Sequence, residues 1–185
     1  VNGLLGRSFI ELLPAVPGLL LMGGASELAW LTAAAGTGAV LGGLLMSRQA
    51  AHVMGLYRLI LVALLGATLL LATLNWLDAL ISLAVVVGLI TFTTTIAGTG
   101  CQALTQLLID PNYHGRVMSL WSMTMMASPA LGAATNGALA EWAGFVTTFA
   151  VASALGVLAV LALYARRRVV SDFAPEAIAT TSDSR

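Results

Sequence analysis

Residues 79–109 read ALISLAVVVGLITFTTTIAGTGCQALTQLLI, a run that contains no charged side chain. A helix needs about 20 apolar residues to cross the roughly 30 Å hydrocarbon core of a bilayer. The run is therefore long enough to span a membrane, and its end, from Gln102 onward, is predicted to emerge at the interface. This stretch predicts an integral membrane protein built from α-helices.

Similar uncharged runs lie on both sides of this stretch, and short segments that carry the charged residues separate them. They predict an all-α, polytopic transmembrane helix bundle within residues 1–165, followed by a polar tail over 166–185. The predicted spans are approximately 1–22, 28–47, 59–77, 79–108, 117–140 and 142–165. The first span is interrupted by Pro14 and Pro17, and it is expected to be truncated.

The composition excludes several classes of protein. Only 9% of the 185 residues are charged, whereas a soluble domain carries roughly 25% because water must wet its surface. The chain has no lysine and a formal net charge of zero, so it lacks the basic surface that a nucleic-acid binder needs. With one cysteine, Cys101, neither an internal disulfide nor a cysteine metal cluster is expected. The expected partner is the lipid bilayer, and no cofactor is predicted.

The charges between the spans sort by sign. One set of loops, together with the C-terminal tail, carries the arginines Arg48, Arg58 and Arg116 and the run at 166–168. The opposite set carries Glu27, Asp78 and Glu141 and no arginine. Because arginine accumulates in short cytoplasmic loops, this pattern predicts a cytoplasmic C-terminus.

The 79–108 span carries a polar stripe. At 100° per residue, its members fall within an arc of about 120°; they are Thr91, Thr95, Gly98, Thr99, Gln102, Thr105 and Gln106. Unpaired polar groups in hydrocarbon are costly, so the stripe should face the bundle interior or a water-filled cavity. Thr91, Thr95, Gln102 and Gln106 are therefore candidate cavity residues. The alternative is that the threonines hydrogen-bond to their own helix and the glutamines lie at the interface.

Two further groups of side chains are candidates for function. Trp121 and Met126 lie among several methionines of the 117–140 span, and flexible thioethers suit a surface that accepts varied apolar ligands. Plain packing is the alternative. Arg7 and Glu11 are four residues apart, on one helical face, and can pair. Ionisable groups within a span are functional candidates, although a structural ion pair or a charge at the interface would explain them equally.

Small residues and one proline predict how the helices pack. Gly38 and Gly42 form a GxxxG pair on one helical face, and Ala133 and Gly137 have the same spacing. Such pairs allow helices to approach closely in lipid. Pro129 lies in the middle of a span and should kink it, and neighbouring hydroxyls can satisfy the carbonyl that it leaves free.

The segment 110–116, DPNYHGR, is the cytoplasmic loop with the densest polar content. Asp110-Pro111 favours a turn, and Arg116 can cap a helix end or pair with Asp110. A structural clasp between helices and a substrate site are both compatible with this loop. Catalytic motifs such as HExxH, GxSxG and the P-loop do not occur in the sequence, so an enzyme is not expected.

Residues 104–120, LTQLLIDPNYHGRVMSL, resemble the loop between spans ten and eleven of the major facilitator superfamily, in its enterobactin-exporter-like and macrolide-exporter-like branch. The likeness continues through PALG at 129–132 and GALAEWAG at 137–144, and AAAGTGAVLGG at 33–43 is similar to span eight. It implies the C-terminal six-helix half of a twelve-helix exporter that binds substrate between two pseudo-symmetric halves. His114 departs from the pattern, because the family usually has arginine there.

The leading hypothesis is a secondary active exporter of small amphipathic compounds, of the drug or siderophore type, in a bacterial cytoplasmic membrane. The resemblance implies a proton gradient as the driving force, the missing N-terminal half as a partner, and a gating role for the loop that holds Asp110 and Arg116. The sequence begins at Val1 inside an apolar stretch, which favours a piece of a longer chain over an alternative start codon. The other hypotheses are a non-transporting membrane scaffold or truncated remnant, and a membrane-embedded enzyme.

Overall fold

The computed structural model describes residues 25–48, 53–74 and 79–165, and the regular structure within these ranges is helical. The five α-helices are α1 (Ala25–Arg48), α2 (Val53–Thr73), α3 (Leu80–Leu108), α4 (His114–Ala143) and α5 (Phe145–Ala165), with a 3-10 turn at Pro111–Tyr113. The predicted all-α bundle is confirmed. The predicted span 1–22, with Arg7 and Glu11, and the tail 166–185 lie outside the described residues.

Three of the described helices are long and apolar enough to cross a membrane: α1, α2 and α3, with 24, 21 and 29 residues. At about 1.5 Å per residue each exceeds the roughly 30 Å hydrocarbon core of a bilayer. α5 has 21 residues, of which the stretch Ala150–Ala165 is apolar, and α4 is long enough, with 30 residues, but less apolar. The protein is a membrane protein, and the six-span count stays a prediction.

A proline and a glycine, and not charged residues, end the helices at the two turns that the structure describes. Pro111 disfavours helical geometry at the residue before it, and α3 ends with Ile109 in an extended conformation. At the other turn Gly144 has a φ of 82°, which glycine adopts without strain, and its N–H donates to the Ala140 carbonyl at 3.0 Å. α4 therefore runs through Glu141 to Ala143, three residues beyond the predicted end of that span.

The helices pack in the order α1, α3, α2, α5, α4, and each contacts mainly its neighbours in this row. Gly38 lies against Gly88, and Gly42, one turn later, lies against Phe92. The contacts between α1 and α3 therefore advance in the same direction along both helices, so these two helices are parallel. α2 runs antiparallel to α3, since Gly66 lies against Thr93 and Ile60 lies against Gly100. α3 therefore occupies the middle of the α1–α3–α2 group and contributes to both buried clusters.

Two apolar clusters hold the row together. Near the start of α3, buried residues from α1, the end of α2 and α3 form the first cluster: Leu31, Ala35, Leu71, Leu74, Leu83, Val87 and Ile90. Near its end, α2, α3 and α5 form the second: Leu56, Ile60, Leu61, Ala63, Leu64, Ile96, Ala97 and Val160. α4 contributes to neither cluster among the described residues, and its face beyond α5 is open.

Gly38 and Gly42 bring α1 onto α3, as the GxxxG pattern predicts. Both glycines are buried, and a Cβ at Gly42 would stand 2.8 Å from the carbonyl oxygen of Phe92. The second small-residue pair forms no such contact within the described ranges, because a Cβ at Gly137 would meet no atom within 4 Å. The difference follows from the neighbours: α1 has α3 beside this face, whereas this face of α4 has no described helix beside it.

Two side-chain hydrogen bonds join α2 to α5. The Ser153 hydroxyl donates to the Thr68 carbonyl at 2.7 Å in a buried position, and the Tyr57 hydroxyl donates to the Leu163 carbonyl at 2.7 Å. The second bond places the start of α2 beside the end of α5. Tyr57 and Tyr164 thus lie at the same end of the bundle, which is the end predicted to face the cytoplasm.

Candidate functional site

The polar stripe of α3 divides into a packed part and an open part. Thr91 is only 3% exposed, and its hydroxyl donates to the carbonyls of Val87 at 3.0 Å and Gly88 at 2.9 Å. Thr95 is half-buried, with its side chain against Gly42. Both threonines therefore lie at the contact between α1 and α3, because the arc that carries them is the one that α1 crosses.

The open part of the stripe lies in the second half of α3. Thr99, Gln102 and Gln106 are exposed in the described structure, whereas Thr105 is half-buried. At 100° per residue, Thr99 and Gln106 lie within about 20° of each other. The two glutamines are thus presented together on the face of α3 that no described helix covers.

The threonine hydroxyls of α3 donate to carbonyls of their own helix. Thr99 donates to Thr95 at 2.6 Å, and Thr105 donates to Cys101 at 2.8 Å. A hydroxyl that donates in this way keeps its lone pairs for accepting a hydrogen bond. On the open face, therefore, the amides of Gln102 and Gln106 are the side chains that can both donate and accept.

An apolar groove lies beside the first half of α3. It runs between α1 and α3, has a volume of about 870 Å³, and its lining includes Trp30, Leu41, Ile81, Val85 and Phe92. No pattern in the sequence predicts this groove. Its position could be anticipated only from Gly38 and Gly42, which fix where the two helices meet; its width depends on how the helices separate beside that contact.

The groove and the open polar residues occupy one face of α3. Phe92, which lines the groove, lies within about 40° of Thr99 and Gln106 at 100° per residue. This face is apolar from Ile81 to Phe92 and polar from Thr99 to Gln106. The face is therefore amphipathic along its length, with the polar part nearer the predicted cytoplasmic end.

The two candidates on α4 lie in different environments. Trp121 is half-buried, whereas Met126 is 79% exposed. Neither residue lines the groove between α1 and α3. Met126 belongs to an exposed apolar surface of α4 that also includes Leu120, Met123 and Leu131.

Pro129 lies inside α4, where it is buried. Its ring nitrogen has no N–H, so the carbonyl four residues earlier loses its usual helical donor. The neighbouring Ser128 hydroxyl is buried and has no hydrogen-bond partner within the described ranges. Ser128 therefore does not supply the compensating hydrogen bond that the sequence suggested.

The loop after α3 is organised by Asp110. Its Oδ1 accepts a hydrogen bond from the Asn112 N–H at 2.8 Å, and its carbonyl accepts one from the Tyr113 N–H at 3.0 Å. Arg116 is exposed near the start of α4, and between these two described residues no ion pair forms. Asp110 thus stabilises a turn, and the guanidinium of Arg116 is exposed beside it.

Titratable residues do not gather into a centre in the part of the chain that the structure describes. No group of three or more histidine, cysteine, aspartate or glutamate side chains there could hold a metal ion. The described acidic residues, Glu27, Asp110 and Glu141, lie near helix ends or in the loop. Arg7 and Glu11, the predicted charged pair within a span, lie outside the described residues.

The family model described as Major Facilitator Superfamily matches residues 4–182. Searches of curated proteins and of solved structures give no match to this chain.

Proposed function

The chain belongs to the Major Facilitator Superfamily, and we propose that it is one six-helix half of a secondary active exporter of small amphipathic compounds. The superfamily consists of membrane transporters, not enzymes. The chain is proposed to be the C-terminal half, with a drug-like or siderophore-like substrate and a proton gradient as the driving force. An N-terminal half of the same transporter is the proposed partner.

The exposed amides on α3 carry this proposal. Gln102 and Gln106 lie on a membrane helix and are not covered by any described element. They lie where this span is predicted to reach the interface, and an amide there that faces lipid without a hydrogen-bond partner is costly. Such a face is stable when it borders a polar path or a second protein surface, and a substrate cavity between two halves supplies both.

The change of polarity along α3 favours an amphipathic substrate. The amides of Gln102 and Gln106 can donate to and accept from a polar group, whereas the residues from Ile81 to Phe92 offer apolar contacts. A molecule with one polar end and one apolar end would therefore match this face over its length. Trp121 and Met126 of α4 are proposed to contribute further apolar contacts to the substrate.

Proton coupling is proposed to involve Glu11, paired with Arg7. The described helices carry their acidic side chains only near the ends, at Glu27 and Glu141. A proton carrier within the membrane needs an ionisable group at depth. Glu11 is the acidic residue of this sequence that falls inside a predicted apolar span.

The loop after α3 is proposed to act in gating through Arg116. Because Asp110 is engaged with the backbone of its own turn, the exposed guanidinium of Arg116 can bind a carboxylate of the N-terminal half when the cytoplasmic side closes. Such a pair would form and break during transport. Asp110 would hold the turn that presents Arg116.

The proposed location is the cytoplasmic membrane of a bacterium, with the C-terminus in the cytoplasm. Arg48, Arg58 and Arg116 lie near one end of the bundle, and Glu27 and Glu141 lie near the other. The Tyr57–Leu163 hydrogen bond supports this grouping, because it places the start of α2 beside the end of α5. Arginine-rich ends face the cytoplasm.

Dye efflux from cells that express the complete transporter tests the proposal. Loss of one hydrogen bond to the substrate costs about 1 kcal/mol, so Gln102→Ala should lower the efflux rate roughly fivefold. The matched control is Leu107→Ala, which changes an exposed residue on another face of α3 and should leave efflux unchanged. Equal expression of both variants must be verified. Unchanged efflux in Gln102→Ala would remove the assigned cavity face, and no efflux by the complete protein would favour a scaffold.

A further inference from the structure

We propose that Arg48 binds an anionic group at the polar end of the substrate, so that the preferred substrates are amphipathic anions. Arg48 is the last residue of α1, and it is exposed. This assignment rests on the proposed function, and it adds the charge of the substrate and a residue that determines specificity.

Arg48 lies on the same face of α1 as the residues that line the groove. Trp30 and Arg48 are separated by five full turns at 100° per residue, and Leu41 lies within about 20° of both. The exposed Leu44 and Leu45 continue the apolar surface between Leu41 and Arg48. Toward the predicted cytoplasmic side, this apolar face therefore ends on a guanidinium.

The polar part of α3 begins at the depth of Arg48. A Cβ at Gly42 would stand 2.8 Å from the Phe92 carbonyl oxygen and 3.2 Å from the Thr95 Cβ, and these contacts fix the register of the two parallel helices. Arg48 lies six residues beyond Gly42, and Thr99 lies four residues beyond Thr95, so each is about 6–9 Å further along its helix. Arg48 and Thr99 thus border the same end of the groove.

The acidic side chains that the structure describes lie away from Arg48. Glu27 is in the first turn of α1, about 31 Å earlier along the same helix, and Glu141 is near the opposite end of the bundle. Asp110 follows α3, and its Oδ1 accepts the Asn112 N–H. A carboxylate or phosphate on the substrate would supply the opposite charge, whereas a cationic group would be repelled.

The hydrogen-bonding groups at this end favour the same chemistry. The guanidinium of Arg48 has five N–H donors and no acceptor, and the amide of Gln102 adds two further donors. The Thr99 hydroxyl already donates to the Thr95 carbonyl at 2.6 Å. Arginine binds carboxylate and phosphate oxygens through paired, charge-assisted hydrogen bonds. A substrate group that only accepts hydrogen bonds therefore matches this end.

Uptake of two matched dyes into everted membrane vesicles that contain the complete transporter tests the assignment. One amphipathic dye carries a carboxylate at its polar end, and the other is its neutral methyl ester. Arg48→Gln should lower the uptake rate of the carboxylate dye about tenfold and that of the ester less than about twofold. Arg48→Lys keeps the positive charge and should restore most of the carboxylate uptake.

Arg58→Gln is the matched control. Arg58 is also an exposed arginine at this end of the bundle, but it lies about 160° around α2 from Leu56 and Ile60, which pack against Gly100 of α3. It therefore faces away from α3, and its loss should leave the uptake of both dyes unchanged. Because both variants remove one positive charge from the same end, an effect on membrane orientation would appear in both.

Three results would overturn the assignment while the proposed function stands. They are equal losses of both dyes in Arg48→Gln, unchanged carboxylate uptake in that variant, and wild-type uptake of the ester but not of the carboxylate dye. The last comparison needs no variant and decides the matter even where Arg48→Gln folds poorly. Uptake of neither dye by the wild-type transporter would contradict the proposed function itself.

Discussion

Gly38 of α1 faces the backbone of Gly88 of α3 so closely that a Cβ at Gly38 would collide with the Gly88 carbonyl oxygen and stand 2.5 Å from Thr91 Oγ1. A carbonyl in a helix cannot move aside as a flexible side chain can. In lipid, where apolar burial gives little driving force, such close backbone contact is a main source of helix association. The α1–α3 contact therefore depends on the absence of a side chain at this position.

Gly38→Ala is predicted to destabilise the bundle by about 1–3 kcal/mol, because the added methyl group forces α1 away from α3. Gly36→Ala is the matched control on the same helix: a Cβ there meets no atom within 4 Å, and alanine favours the helix by up to about 1 kcal/mol. Thermal unfolding in detergent measures both. Equal melting temperatures for the two variants would contradict the close contact.

Ser153→Ala is predicted to cost about 0.6–1.5 kcal/mol, because it removes the buried hydrogen bond to the Thr68 carbonyl and leaves that oxygen with one partner fewer. Ser122→Ala is the control, since the exposed Ser122 hydroxyl bonds only to its own helix. Unfolding by titrated sodium dodecyl sulfate in mixed micelles gives the free-energy difference. A loss as small as that of the control would mean that the α2–α5 bond is not formed.

The sequence predicted the helices well because lipid imposes a simple length requirement on apolar runs. The run at 79–108 became α3, which begins and ends within one residue of its predicted bounds. The GxxxG pair on α1 also contacts α3, as its spacing predicts. These features depend on local composition and on spacing along a single helix, and both are visible in a sequence.

Where charge set the predicted boundary, the helix ends differ from the ends of the predicted span. α2 begins at Val53, six residues before the predicted span, and it includes Arg58. An arginine near a helix end extends its charged group to water while the backbone stays helical. The predicted span marked the apolar segment, whereas the hydrogen-bonded helix continues beyond it.

The candidate site depends on contacts between helices, which one sequence does not contain. Thr91 and Gln102 share an arc of α3, yet Thr91 is buried against α1 and Gln102 is exposed. The difference arises because α1 crosses α3 at Gly38 and Gly42. The groove was missed for the same reason, since its volume depends on the separation of α1 and α3.

The cytoplasmic orientation predicts opposite labelling at two exposed positions. Cys101→Ser removes the single thiol of the given sequence. In that background, His114→Cys and Glu141→Cys each place one thiol at an exposed site. A membrane-impermeant maleimide should label Glu141→Cys on intact cells and His114→Cys only after permeabilisation. The reverse pattern would invert the assigned orientation.

Asparagine and alanine at Asp110 should give different results. Asp110→Asn keeps an oxygen that accepts the Asn112 N–H, so the turn and the transport rate should be retained. Asp110→Ala removes that acceptor and should destabilise the turn by about 1 kcal/mol, with a lower yield of folded protein. Transport assays and melting curves of the two variants make the comparison. A transport loss in Asp110→Asn at normal stability would mean that the carboxylate charge itself is needed.

The central claim is that the second half of α3 lines a water-accessible substrate path. Gln102→Cys, in the complete transporter with serine at Cys101, should react with a water-soluble maleimide in inside-out vesicles, and a transported dye should slow the reaction. Val62→Cys, exposed on α2 and assigned to lipid, should not react, because the thiolate does not form in hydrocarbon. A Gln102→Cys thiol as unreactive as Val62→Cys would contradict the account.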